Sequence, residues 1–260
     1  MNPHISLPRQ HSSTFGGIAP SSSRSDAVRM PRFFKRLFKF PQMDFELAIW
    51  EMTSLMIAPK KVFRSIYYHK QTKNTWHRPD PSFTYLLALF LLLTALAWGV
   101  AYADGVLPTL RITLVFIFGH FLLASLAVST LAYVLVGRLL GPGSGEEALE
   151  FGYCFDVSIR AFLPVWVVLY VVQFLLMPVV AKDYWISHFF GNLLYFVAAM
   201  YYTAITFLGY NALPFLQHTE LLLAPVPILS ILFVISLFGF NAAKHLAPVL
   251  WCGATLRKHV

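Results

Sequence analysis

The sequence predicts an all-α membrane protein, with five transmembrane helices and an amphipathic cytosolic amino-terminal helical region, on three observations. Of 260 residues, 57% are hydrophobic and only 12% charged, against roughly 25% charged in an average soluble domain. A soluble fold could not cover that much apolar surface, which excludes an ordinary soluble enzyme of this length. Five apolar runs, near 83–103, 112–137, 161–180, 187–210 and 221–240, are each about 20 residues or longer, enough to cross a hydrocarbon core of about 30 Å. The net charge of +8 is also unevenly placed, since thirteen of the twenty basic residues lie before residue 79.

Residues 1–30, with Ser12, Ser13, Gly16, Gly17, Pro20 and Ser21 to Ser23, lack periodicity and are expected to form a disordered tail. They are not expected to act as a signal peptide, because no apolar core precedes residue 83. The basic region 31–82 carries two amphipathic patterns. Phe45, Ile49, Met52 and Met56 recur at helical spacing with Asp44 and Glu51 opposite, and Val62, Phe63, Ile66 and Tyr67 oppose Lys60, Lys61 and Arg64. Two readings fit: an interfacial helix pair on the anionic cytosolic leaflet, held by basic residues at about 1 kcal/mol each, or a small packed cap on the bundle. Within 83–240, Gly119, Ala124, Ser125, Ala127, Ser129 and Ala132 suit the second span to close helix packing. Pro225 and Pro227 belong in a first turn, so the last helix should start near Ala224 and run to Phe240 or beyond. A short tail, 241–260, follows.

Orientation follows from the basic residues near span ends. Lys60, Lys61, Arg64, Lys70, Lys73 and Arg78 precede the first span, and Arg111 alone follows it. The amino terminus is therefore expected in the cytosol and the carboxyl terminus in the lumen, against a weaker contrary signal from Lys244, Arg257 and Lys258. Loops 138–160 and 211–220 become cytosolic, whereas 104–111 and 181–186 become short lumenal loops. Cys154 and Cys252 fall on opposite sides and should not pair.

No catalytic, cofactor or metal constellation is legible. The nine histidines show no HxxxH or HxxH spacing, the two cysteines no zinc spacing, and Gly141 to Gly145 no phosphate-cradle spacing. His120, Gln173 and Asn192 are expected to make interhelical hydrogen bonds. A rival reading has them line a cavity with Tyr195, Tyr201 and Tyr202, in a small polytopic transporter or lipid-handling protein. Asp156 and Arg160 are spaced to pair along a helix, which is either structural or part of a docking surface with Tyr153 and Phe155. Glu146, Glu147 and Glu150 make the same loop acidic. The basic amino-terminal region could contact RNA electrostatically, but no recognition motif accompanies it.

Four stretches, RLFKFPQMDFELAIWEM (36–52), YHKQTKNTWHRPDPSF (68–83), GYCFDVSIRAF (152–162) and FLGYNALPFL (207–216), resemble the signature blocks of the Unc-fifty family of Golgi multi-pass membrane proteins. The plan is also similar to that of the five-span Yip-type trafficking proteins. Pro79, Ser158, Arg160 and the Gly-rich linker 141–145 depart from the family pattern. The resemblance implies a non-enzymatic Golgi scaffold or receptor in vesicle-mediated protein transport, which helps recruit Arf guanine-nucleotide exchange factors and supports cell-surface delivery of receptors. Charge and resemblance together place all four blocks on the cytosolic side. The expected docking residues are Arg36, Lys39, Gln42, Asp44, Lys70, Gln71, Lys73, Trp76 and Asp156, braced by Tyr210, Leu213, Pro214 and Phe215. Trp76 would serve equally as a headgroup-level anchor, and Lys70 and Lys73 would serve equally in contact with anionic lipid.

Overall fold

The computed structural model describes residues 44–73, 76, 80–103, 105–140, 149–182 and 184–247. The tail 1–30, the docking candidates Arg36, Lys39 and Gln42, the acidic pair Glu146 and Glu147, and Cys252 lie outside the described residues. Those that are described form helices and turns, with no strand.

Among the described residues, two short helices, α1 (Phe45–Ile57) and α2 (Pro59–Lys73), precede the bundle. Asp44 caps α1 by accepting from the Leu47 N–H at 3.0 Å. Pro59 opens α2 at the position where a missing N–H costs nothing. The packed-cap reading describes this region. Leu55, Val62 and Ile66 are fully buried, and the α2 face lies where the periodicity puts it, with Tyr67 at its exposed edge. The α1 face is corrected. Ala48, Glu51, Met52 and Leu55 point inward, while Phe45 and Ile49 are 39% and 54% exposed. A periodicity that scores apolarity assigns a glutamate to solvent, and here the glutamate is the inward residue.

Among the described residues, five helical stretches are long and apolar enough to cross a membrane: α3 (Ser82–Tyr102), α4 (Val106–Leu139), α5 (Phe151–Val180), α6 (Trp185–Asn211) and the stretch Thr219–Ser236. In the last of these a 3-10 turn (Thr219–Leu223) leads into α7 (Pro225–Ser236). The first and fourth lie where the apolar runs put them. Helix α4 starts before residue 112, with Arg111 in its second turn, and α5 starts ten residues before 161 because Asp156 and Arg160 neutralise one another within it. Both α4 and α5 widen to π-helical geometry at their middles, over Val115–Leu123 and Trp166–Val172. These stretches meet where the Tyr170 hydroxyl lies 2.9 Å from His120 Nδ1, and the Trp98 indole donates to the Tyr170 carbonyl at 2.9 Å.

Helix α7 starts at Pro225 as the prolines require, but stops at Ser236 rather than running to Phe240 or beyond. Gly239 adopts φ +133°, a left-handed conformation open to glycine, and the chain turns into α8 (Ala242–Ala247). That break leaves backbone groups without helical partners, and Asn192 of α6 takes three of them. Its amide donates to the Ser236 and Phe240 carbonyls at 3.1 and 2.7 Å, and its oxygen accepts from the Ala242 N–H at 2.7 Å. The interhelical role expected of Asn192 is thus the stitching of the α7–α8 turn to α6.

Candidate functional site: the junction beneath the amino-terminal cap

Segments from all four sequence blocks meet at one end of the bundle, under α1 and α2. Arg160 of α5 lies at the centre, 2% exposed. Its Nη2 donates to Glu51 Oε2 of α1 at 3.2 Å, and its other Nη contacts the Asp156 carboxylate one turn earlier. Nε has no acceptor, and the guanidinium instead lies 5.5 Å from the centre of the Phe83 ring, a cation–π contact that offsets part of the desolvation. Burying a guanidinium at a membrane boundary is costly unless it is paired on several sides. Here α1 supplies one carboxylate, α5 the other and α3 the ring.

A second cluster adjoins it. Trp76 is 3% exposed, with ring centres of Tyr67, Tyr153 and Phe215 at 6.3, 6.3 and 6.0 Å and Lys70 Nζ 5.2 Å from its own. Its backbone N–H reaches Glu150 Oε1 at 3.4 Å. The fully buried Tyr153 donates its hydroxyl to the Gly209 carbonyl at 2.6 Å, which ties α5 to α6. At that point Gly209 lets three helices approach: a Cβ there would lie 2.7 Å from Val157 Cγ1 and 3.3 Å from Phe63 Cε1. The Gln217 N–H donates to the Leu140 carbonyl at 3.1 Å, so the connections after α4 and α6 also join.

These contacts sort the predicted residues. Tyr210 and Leu213 are buried braces, Phe215 is half-buried against Trp76, and Pro214 is exposed. Asp44 caps α1, and its own N–H donates to Asp80 Oδ2 at 3.2 Å. Gln71 is exposed, and Lys73 ends α2. Trp76 is corrected from a surface contact or headgroup anchor to a core residue. Asp156 belongs to the Arg160 ion group, its side chain 21% exposed. Sequence reasoning missed the outward face of α1, where Phe45, Ile49 and Trp50 are 39%, 54% and 44% exposed. Its only signal was that α1 is apolar on more than one side.

The residues of the rival reading are mostly engaged in contacts with one another's helices. His120 pairs with Tyr170, Gln173 donates to the Tyr195 hydroxyl at 3.3 Å, Tyr202 meets Ser158 at 3.3 Å, and Tyr201 faces outward. Of this set, Asn192 and Tyr195 are among the residues that line an apolar groove of about 540 Å³ between α6 and α7. Among the described residues no three His, Cys, Asp or Glu side chains are grouped to hold a metal ion.

The chain is similar along most of its length to proteins of one kind. It is 40% identical to "Protein GMH1 homolog" of Schizosaccharomyces pombe, over 85% of this chain and 97% of that protein. It is 38% identical to "Protein unc-50 homolog" of Danio rerio, over 87% and 92%, and 38% identical to "Protein GMH1" of Saccharomyces cerevisiae, over 84% and 85%. None of these names is that of an enzyme, and no solved structure matches the chain. The UNC-50 family model covers residues 33–251, which take in all four blocks and every membrane-crossing helix, and the chain belongs to the UNC-50 family.

Proposed function

We propose that the protein is a non-enzymatic Golgi scaffold or receptor in vesicle-mediated protein transport. Its capped end faces the cytosol and recruits an Arf guanine-nucleotide exchange factor, and this supports delivery of receptors to the cell surface. The observation that carries the proposal is the convergence of all four blocks in one junction, where they interlock by ion pairs, stacked rings and a tyrosine-to-backbone bond. The junction serves as a rigid base, and its surface supplies the contacts. Ile49 and Trp50 form an exposed apolar patch beside the exposed Asp44 and Glu46, a composition typical of a protein-binding surface.

The test is recruitment in cells. Replacing Ile49 and Trp50 with serine removes exposed groups and leaves the contacts of the buried base in place. The expected outcome is a protein that still reaches the Golgi but loses most exchange-factor recruitment, read by proximity labelling from the amino-terminal region. Unchanged labelling of exchange factors would reject the proposal. Orientation has its own check: a glycosylation acceptor appended after residue 260 should be modified, since an odd number of spans puts that end in the lumen.

A further inference from the structure

A cavity of about 390 Å³ opens between α2 and the end of α6, within the range of small-ligand sites, about 300–1,000 Å³. It is built in two halves. Phe63, Leu208 and Ala212 form an apolar wall, and Lys60, Arg64 and Tyr67 bring two cations and a hydroxyl to the other side. Lys60 and Arg64 are one helical turn apart, so both can address one anion. Neither is paired with a carboxylate among the described residues. Asn211 completes the lining. Its side-chain oxygen accepts from the Thr219 hydroxyl at 2.9 Å, which leaves its amide nitrogen as a donor.

The position of this cavity identifies its occupant. Helix α6 is long and apolar enough to cross a membrane, and Leu208 and Asn211 lie in its last turn, at the depth where lipid phosphates meet acyl chains. We propose that the cavity is a discrete binding site for one anionic phospholipid. Lys60 and Arg64 hold the phosphate, the Arg64 fork suiting its oxygens. The glycerol and the first acyl carbons lie against Phe63, Leu208 and Ala212. This differs from diffuse attraction to a charged leaflet, because Lys61, exposed and adjacent in sequence, is not part of the lining. The site stands independently of exchange-factor recruitment and holds for either orientation of the chain.

The test uses the full chain reconstituted in vesicles of phosphatidylcholine with a minor fraction of phosphatidylserine, then extracted in mild detergent. Native mass spectrometry counts the phosphatidylserine retained. One molecule is expected on the native protein. Lys60→Gln with Arg64→Gln should reduce retention about tenfold or more, and both side chains are exposed, so the fold survives the change. Ala212→Phe fills the cavity without altering charge and should reduce retention equally. Lys61→Gln should leave it intact. Equal loss with Lys61→Gln would mean diffuse attraction, and no loss in the double variant would mean no site. Displacement of the lipid by inorganic phosphate in the wash would mean a site for free phosphate. Each of these three results overturns the proposal.

Discussion

Replacing Arg160 with methionine is expected to destabilise the folded protein by about 3–5 kcal/mol, the range for removing one member of a buried ion pair. The loss comes mainly from Glu51. With 2% exposure and Arg160 as its ion-pair partner, its carboxylate would remain in a packed boundary between α1 and α5. Asp156 has a side chain 21% exposed, so it can turn toward water and should lose less. Asp156→Asn is therefore expected to cost less than Arg160→Met, and Glu51→Gln, which keeps an acceptor for the guanidinium, should also be milder. The triple variant Glu51→Leu, Asp156→Ala, Arg160→Met removes the charges together and should recover much of the loss, since apolar replacement of a whole buried ion group is often neutral or better. Thermal unfolding of the purified protein in detergent gives the order. Limited proteolysis gives the location, because cleavage within 45–57 should rise in Arg160→Met before the spans are touched. An Arg160→Met protein as stable and as protease-resistant as the native one would mean that the ion group does not fasten α1 to the bundle.

The ion group also marks the boundary of what sequence reading could reach. The spans were legible because their signal is compositional and local: about 20 apolar residues in a row have few other fates. Glu51 was not legible, because its partner lies 109 residues away. Without knowledge of that pairing, a glutamate among apolar residues is assigned to the wet face. The start of α5 was set too late for another reason: the apolar run ends at Arg160, and although Asp156 and Arg160 were legible as a helical pair, the helix continues through them back to Phe151. Trp76 illustrates a different loss. A tryptophan next to basic residues before a span resembles an interfacial anchor, and only the convergence of Tyr67, Tyr153 and Phe215 around it turns it into core. The π-helical stretches of α4 and α5 have no recognised sequence signature. Of the candidate site, the four blocks were legible as blocks. The division of labour within them, with a buried base below and a contact face above, required the third dimension.

The Gly209→Ala variant is expected to destabilise the protein by about 1–3 kcal/mol, the cost of forcing extra volume into a packed interior. The added methyl would sit 2.7 and 2.9 Å from the two Val157 methyls and 3.3 Å from Phe63 Cε1. A valine in a helix has one strongly preferred χ1, so Val157 cannot swing aside cheaply. The helices must part instead, and parting stretches the 2.6 Å bond from the Tyr153 hydroxyl to the Gly209 carbonyl. Tyr153→Phe measures that bond alone and should cost about 1 kcal/mol. The decisive comparison is Val157→Ala. Alone it leaves a cavity and destabilises, but with Gly209→Ala it clears the space the new methyl needs, so the double variant should be more stable than the sum of the two predicts by about 0.5–3 kcal/mol. Unfolding midpoints of the four proteins complete the cycle. Strictly additive losses would mean that α5 and α6 do not pack this closely at Gly209. A favourable coupling would explain why a glycine stands inside the FLGY sequence of a membrane-crossing helix: it is where α2, α5 and α6 close on one another beneath the cap.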